Sequence, residues 1–402
     1  MPKKLLVLGA GRGQLGLIKS AKGLGYTVIV ATIPSDRAVG VELADDVVYA
    51  DIASPQAILE AARRIRPDGI ATSCLDTGVI ALGHSCDALG LPGISEAAAR
   101  LCADKYQMKE AFTEAGVQTA RYRRVSSERE LHEAMKELQF PLIVKATDLQ
   151  GSKGIYIIRT AAEAEPAFRK ALSLSKKDYL ILEEFIEGKE FGAQAFVYKG
   201  ELLFVLPHND ETFLSGTNIP IGHSAPYCGD AGQVEAVRRS VDAAIRALGL
   251  DNCAVNVDMI ERDGEIYLIE LTGRVGANGL PEMTSIYFGL DYYAMIAKMA
   301  VGEDPLSVWE TRLAEKQAAL AEMLIEEGQG GVLEAINTEG VTSPHLFDLQ
   351  FFVQPGMEVR KFQSSYDCIG QLLIKGGEGW TLKDCEDEAQ RIKSTIKLHY
   401  RA

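Results

Sequence analysis

The chain has 402 residues, of which 47% are hydrophobic and 24% charged, an ordinary balance for a globular protein of two to four domains. A formal net charge of −14 with no Lys/Arg-rich run argues against a surface that binds a nucleic-acid backbone. Seven scattered cysteines without CxxC spacing argue against a disulfide framework or structural zinc, and no apolar run reaches membrane-span length, so the expectation is a cytoplasmic protein.

From residue 1 to about 95 strands and helices alternate. Lys4–Leu8 reads as a buried strand and Gly9–Gly16 (GAGRGQLG) as a glycine-rich turn. A helix over Leu17–Leu24 follows, then strands at Thr27–Thr32, Val47–Tyr49 and Gly69–Thr72, with a helix near Gln56–Ile65. This alternation predicts a parallel, Rossmann-like sheet. Gly11, Gly13 and Gly16 match the dinucleotide fingerprint, but the second strand ends in Ala31-Thr32-Ile33 without the acid that holds a ribose hydroxyl. A nicotinamide oxidoreductase is therefore disfavoured. The glycines serve equally for tight packing or for presenting backbone amides to an anion.

Helical sequence resumes near Ser95 and contains Lys105. Next come two apolar strands, Leu142–Lys145 and Ile155–Ile158, around a loop holding Gly151, Ser152 and Gly154. Such a loop can donate N–H groups to phosphates while Lys145 supplies charge, or it can be a plain structural turn. It is not a Walker A loop. The stretch Asp178–Val197 reads as strand, connection (Glu184 to Gly188) and strand; His208–Tyr227 reads as a long polar loop, and Gly232–Leu248 as a helix.

Ala254–Thr272 (AVNVDMIERDGEIYLIELT) predicts a β-hairpin. With Arg262-Asp263-Gly264 as a three-residue loop, Asp258 and Glu270 fall on one face. Two carboxylates on one face repel unless a cation lies between them, and Mg²⁺ fits oxygen donors and phosphates; the alternative is two unrelated exposed acids. Gly276–Pro281 is a loop, Asp291–Val301 a helix, and the tail from about 306 shows short β-like runs closed by a helix at Cys385–His399.

Taken in order, Lys105, Lys145, the glycine loop, the Glu183–Glu190 connection and the Asp258/Glu270 hairpin resemble the ATP-grasp superfamily. The closest likeness is to the branch with biotin carboxylase, purine-biosynthetic carboxylases and amino-acid ligases. The N-terminal turn and the tail motifs around Gln354–Glu358 and Ser364–Gly370 extend it to nearly the whole chain. The resemblance implies an α/β fold with a Rossmann-like N-terminal domain (1–95), a central ATP-grasp domain (96–305, lid about 118–187) and a small β-rich C-terminal domain (306–402).

It also implies roles. Lys105 and Lys145 would contact ATP phosphates, and Gly151, Ser152 and Gly154 would cover them. Glu183, Glu184, Phe185 and Ile186 would form the adenine hinge, and Glu190 would hold the ribose. Asp258 and Glu270 would bind Mg²⁺ (or Mn²⁺), and catalytic Arg274 would steady a phosphorylated intermediate. Family members often carry asparagine where Thr272 stands, so Asn256 is expected to help hold the metal.

The implied reaction joins a small-molecule carboxylate to an amine through an acylphosphate, releasing ADP and phosphate, with amino acids as the expected substrates. A bicarbonate-using carboxylase acting through carboxyphosphate and an inactive nucleotide-binding protein are the alternatives. The sequence after Arg274 lacks the Val-Glu-His of biotin carboxylases. Substrate contacts are expected at His208, Asn218, His223, Asn278 and Gly279. His223 could be a base, an orienting contact or a structural histidine. Neither a nucleic-acid nor a membrane partner is expected, and a homodimer is compatible with the layout.

Overall fold

The computed structural model describes residues 2–149, 153–214 and 218–401, and the chain divides into two compact units. The first comprises residues 1–205, 229–275 and 296–304. It opens with a four-stranded parallel sheet in the order Asp46–Tyr49, Thr27–Thr32, Lys4–Leu8, Gly69–Ala71. Strand Lys4–Leu8 is central, and Leu5 to Leu8 have no exposed surface, as expected of a parallel strand covered on both faces. At Gly69 the backbone passes so close to the helix ending at Ala300 that a Cβ would lie 2.0 Å from the Ala300 carbonyl oxygen. Only glycine permits that approach.

A second, antiparallel sheet runs Tyr122–Val125, Leu180–Glu184, Leu142–Ala146, Ile155–Ile158. Helices Glu128–Glu137 and Ala161–Leu174 cover it, and Leu131, Leu142, Val144, Leu180 and Phe168 form its core. A third ladder pairs Lys189–Tyr198 with Cys253–Arg262, and that strand with Glu265–Thr272.

The last hairpin corrects the expected turn. Arg262 pairs with Glu265, so the loop is the two-residue Asp263-Gly264, both with positive φ (55° and 83°). That conformation suits the twist of a tight hairpin. An even loop alone would place Asp258 opposite Ile269. Instead, the register shifts between Asp258 and Met259, and Asp258 faces Glu270 directly. The acids share a face because of a β-bulge, not because of loop parity. The second strand ends at Thr272, so Arg274 lies beyond the ladder rather than on its face.

The second unit comprises residues 206–228, 276–295 and 305–402. Here the expected polar loop over His208–Tyr227 is a β-hairpin: residues of Glu201–Leu214 pair with Asn218–Ala225. Its polar side chains find partners within the hairpin, so hydrophobic alternation is weak there while the backbone is still strand. Ala319–Leu324 pairs with Asn218–Ala225, followed by Gly370–Lys375 and Leu346–Phe351. Helix Leu382–Thr395 packs Cys385, Ala389 and Ile392 into a core with Leu320, Leu372 and Ile374. A small sheet of Glu358–Arg360, Gly330–Asn337 and Lys397–Tyr400 completes the unit. No helix among the described residues is long and apolar enough to cross a membrane.

Candidate active site

The first unit gathers the charged residues singled out from sequence. Asp104 caps helix Lys105–Glu114 by accepting from the Tyr106 and Gln107 amides at 3.0 and 3.3 Å. The helix N-terminus is anchored further by the Lys105 N–H, which donates to the Thr147 carbonyl at 3.2 Å. Lys105 Nζ donates to Glu270 Oε1 at 2.9 Å and to the Leu149 carbonyl at 3.1 Å. Burial would lower the lysine's pKa, but the Glu270 carboxylate outweighs it and the net shift is upward.

Lys145, on strand Leu142–Ala146, lies 3.2 Å from Glu183 Oε2. Sequence reasoning missed the second lysine on that oxygen: Lys109, also at 3.2 Å. Lys105 and Lys109 are four residues apart on one helix and therefore share a face, a signal that was present in the sequence. Lys109 also donates to Thr119 Oγ1 at 2.5 Å, and Thr119 donates to the Leu268 carbonyl. Two cations thus share one buried anion. Burial raises the carboxyl pKa of Glu183, but Lys109 and Lys145 outweigh it and leave the pKa lowered. Desolvation pushes Lys109 down to about 8, against the pull of Glu183. Glu183 was expected to serve a hinge through its main chain; its side chain is the counter-ion of this cluster.

In the rest of the connection, Glu184 accepts from Arg121 at 2.9 Å and from the Gln139 amide at 3.0 Å. The Glu184 and Phe185 amides donate to the Arg121 and Pro141 carbonyls. Ile186 packs with Ala120 and Ile260, and Glu190 pairs in register with Ile260. Gly154 has φ +70°, and its carbonyl accepts from the Ala146 amide at 2.9 Å. Gly151 and Ser152 lie outside the described residues.

On the hairpin, Gln194 Nε2 donates to Asn256 Oδ1 at 2.6 Å, and Asn256 Nδ2 donates to Asp258 Oδ1 at 3.1 Å. Asn256 was expected to help hold the metal; here its carbonyl oxygen is engaged by Gln194 and its amide nitrogen faces the acid, an arrangement suited to orienting Asp258. Thr272 pairs across from Asn256, and its buried Oγ1 has no hydrogen-bond partner. The donors Asp258, Glu270 and Thr272 are all oxygens, and Asp258 is exposed; this set fits a hard divalent cation.

Arg274 turns toward Asp76, a residue with no signal in the sequence. Nε and Nη2 reach Asp76 Oδ1 and Oδ2 at 2.6 and 2.7 Å, a bidentate pair, while Nη1 donates to the Val275 carbonyl. Burial opposes the arginine's charge, but Asp76 overcomes it and the pKa is raised. Asp76 follows Cys74, which holds a positive φ of 57° and packs against the glycine-rich turn; a Cβ on Gly13 would lie 2.7 Å from that of Cys74.

The expected substrate residues fall in the second unit. His208 and His223 both face Asp210. Asn218 opens its strand, while Asn278 (φ +57°) and Gly279 (φ +86°) form a separate turn before helix Leu280–Phe288.

The sequence profile of the phosphoribosylglycinamide synthetase ATP-grasp (A) domain matches residues 103–215, the stretch holding all three lysines and Glu183. Among solved structures, phosphoribosylglycinamide synthetase from Anaerococcus prevotii is 47% identical and covers 100% of both chains, with a TM-score of 0.88. L-amino acid ligase from Bacillus licheniformis shares the fold at 18% identity, covering 100% of this chain and 99% of its own, with a TM-score of 0.85. Alanine–anticapsin ligase of Bacillus subtilis (strain 168) is 29% identical over 262 residues, 58% of this chain and 54% of the relative. The chain thus spans about half the length of the first curated relatives it matches. With full-length similarity at 47% identity to a phosphoribosylglycinamide synthetase, the chain belongs to the ATP-grasp superfamily.

Proposed function

We propose that the protein is an ATP-dependent carboxylate–amine ligase that forms an amide bond through an acylphosphate and releases ADP and phosphate. One observation carries this reading: Lys105 Nζ sits 2.9 Å from Glu270, whose register partner is Asp258, so a buried cation pairs with one acid of a facing carboxylate pair. Phosphoryl transfer needs that combination, since the γ-phosphoryl group is anionic and its transfer is governed by positioning and charge neutralisation.

Each residue then has a task. Lys105 and Lys145 hold phosphate oxygens, while Glu183, anchored by buried Lys109, keeps Lys145 in place. Glu183 to Ile186 line the adenine side, and Glu190 faces the ribose. Asp258 and Glu270 would hold Mg²⁺, which supplies charge neutralisation on the phosphates when bound. Arg274 stabilises the oxyanion that develops at the substrate carboxyl as the amine attacks. We assign recognition of the second substrate to His208, His223, Asn278 and Gly279. A synthetase at 47% identity and a ligase at 29% support amide formation, while biotin carboxylases share the fold at 20% identity or less.

The test is a screen of carboxylate and amine pairs, amino acids first, for ADP and phosphate release, with a parallel bicarbonate arm. The proposal requires release that depends on both partners and is lost in Lys105→Met and Glu270→Gln. Release with bicarbonate alone would convert the assignment to a carboxylase, and no release in any arm would leave a nucleotide-binding protein.

A further inference from the structure

The second unit buries a His–Asp–His cluster that, among the described residues, makes no ion pair with a lysine or arginine. Asp210 and His223 are register partners on adjacent antiparallel strands, and His208 lies two residues before Asp210, on the same face. Both imidazoles present Nδ1 to a single oxygen, Asp210 Oδ1, at 2.9 Å for His208 and 2.6 Å for His223. The rings meet edge to face with centroids 5.3 Å apart. The side chains of His208, Asp210 and His223 are 2%, 11% and 4% exposed.

Among the described residues, Asp210 has no lysine or arginine partner. A buried carboxylate facing two neutral imidazoles would carry an uncompensated charge, which proteins resolve by pairing it or by coordinating a metal. An ionised Asp210 can only accept, so both Nδ1 atoms donate to its Oδ1 and both buried Nε2 atoms are left as acceptors with no partner. A metal entering the cluster would replace the Nδ1 hydrogens, and each ring would then carry its hydrogen on Nε2.

We infer that His208, Asp210 and His223 form a binding site for a divalent transition metal of the zinc class, distinct from the all-oxygen Asp258/Glu270 pair. The three ligand atoms lie within 4.8 Å of one another. A tetrahedral zinc with bonds of about 2.0–2.2 Å separates its ligands by roughly 3.4 Å. The observed 2.6 and 2.9 Å contacts would open by less than 1 Å to admit it, a change within reach of side-chain rotation. Two imidazole nitrogens select zinc, cobalt or nickel over magnesium or calcium. Three protein ligands leave the fourth position open, and a carboxylate, an amine or water can fill it.

The assignment goes beyond the ligase reading and does not depend on it, because its readout is metal content rather than phosphate release. The full chain is stripped with chelator, then titrated with Zn²⁺ and separately with Co²⁺ in excess Mg²⁺. Metal content is measured after desalting, and the visible d–d bands of four-coordinate Co²⁺ are recorded. One ion per chain is expected, with Co²⁺ bands and a Zn²⁺-dependent rise in melting temperature. His208→Ala and His223→Ala should weaken binding by at least the roughly 10–100-fold that loss of an outer-shell partner costs. Asp210→Asn keeps the shape of the cluster and its hydrogen bonding, so it reports metal affinity even if an alanine variant folds poorly; it should lose the Co²⁺ bands. Wild-type protein that retains no metal would overturn the inference and leave an imidazole pair sharing a proton with Asp210. Equal binding in wild type and Asp210→Asn would also overturn it, by moving the metal elsewhere, such as to a cysteine.

Discussion

Replacing Glu183 by glutamine isolates the electrostatics of the lysine cluster. In the folded protein Lys109 titrates near 8, against 10.5 unperturbed. At pH 7 it therefore loses its proton at a cost on the order of 1 kcal/mol. That figure caps what the variant can lose at Lys109, because deprotonation is an escape. Lys145, 3.2 Å from the same oxygen, loses its counter-ion too, and breaking a buried pair costs about 3–5 kcal/mol. Glu183→Gln should accordingly destabilise the fold by about 4–6 kcal/mol at pH 7 in urea unfolding. The pH dependence is the sharper part. A lysine whose folded pKa lies below its unfolded value sheds its proton first in the folded state, so stability rises with pH across the window between the two. That window opens near pH 8 in the wild type and below 8 in the variant, so the deficit should shrink by about 1 kcal/mol between pH 7 and pH 8.5. A loss under 1 kcal/mol, or one that does not change with pH, would refute the shared-anion account.

Asp76→Asn keeps the loop but removes the bidentate hold on Arg274; it should lower turnover about tenfold or more while the KM for ATP stays within about twofold, and Asp76→Glu should restore part of it. Asn256→Ala unseats Asp258, and the Mg²⁺ concentration for half-maximal activity should rise about 10–100-fold; an unchanged requirement contradicts the orienting role. Gly69→Ala forces a Cβ to 2.0 Å from the Ala300 carbonyl and should cost about 1–3 kcal/mol or more in denaturant unfolding, with no effect on KM for ATP in the folded fraction.

Strands were legible wherever hydrophobic runs are short and bounded: Lys4–Leu8 and Thr27–Thr32 fall where the apolar pattern puts them. The hairpin at Glu201–Leu214 and Asn218–Ala225 was not legible, because His208, Asp210 and His223 put a polar cluster on a strand face and erase the alternation. In the candidate site, Asp258 and Glu270 were found as a facing pair, yet the bulge that aligns them leaves no mark in composition, and the loop-parity argument for the pairing does not hold. Lys109 was findable from its four-residue spacing to Lys105. Asp76 was not: it lies 198 residues from Arg274, and the contact exists only in the folded chain.

The central claim is that a substrate carboxylate takes the γ-phosphoryl group. Its most direct test uses a carboxylate substrate labelled with ¹⁸O in both oxygens, turned over with ATP and an amine acceptor. The acylphosphate route transfers one labelled oxygen to each phosphate released, because cleavage of the acyl–oxygen bond leaves that atom on phosphorus. Phosphate free of label, formed at the same rate as the amide, would contradict it.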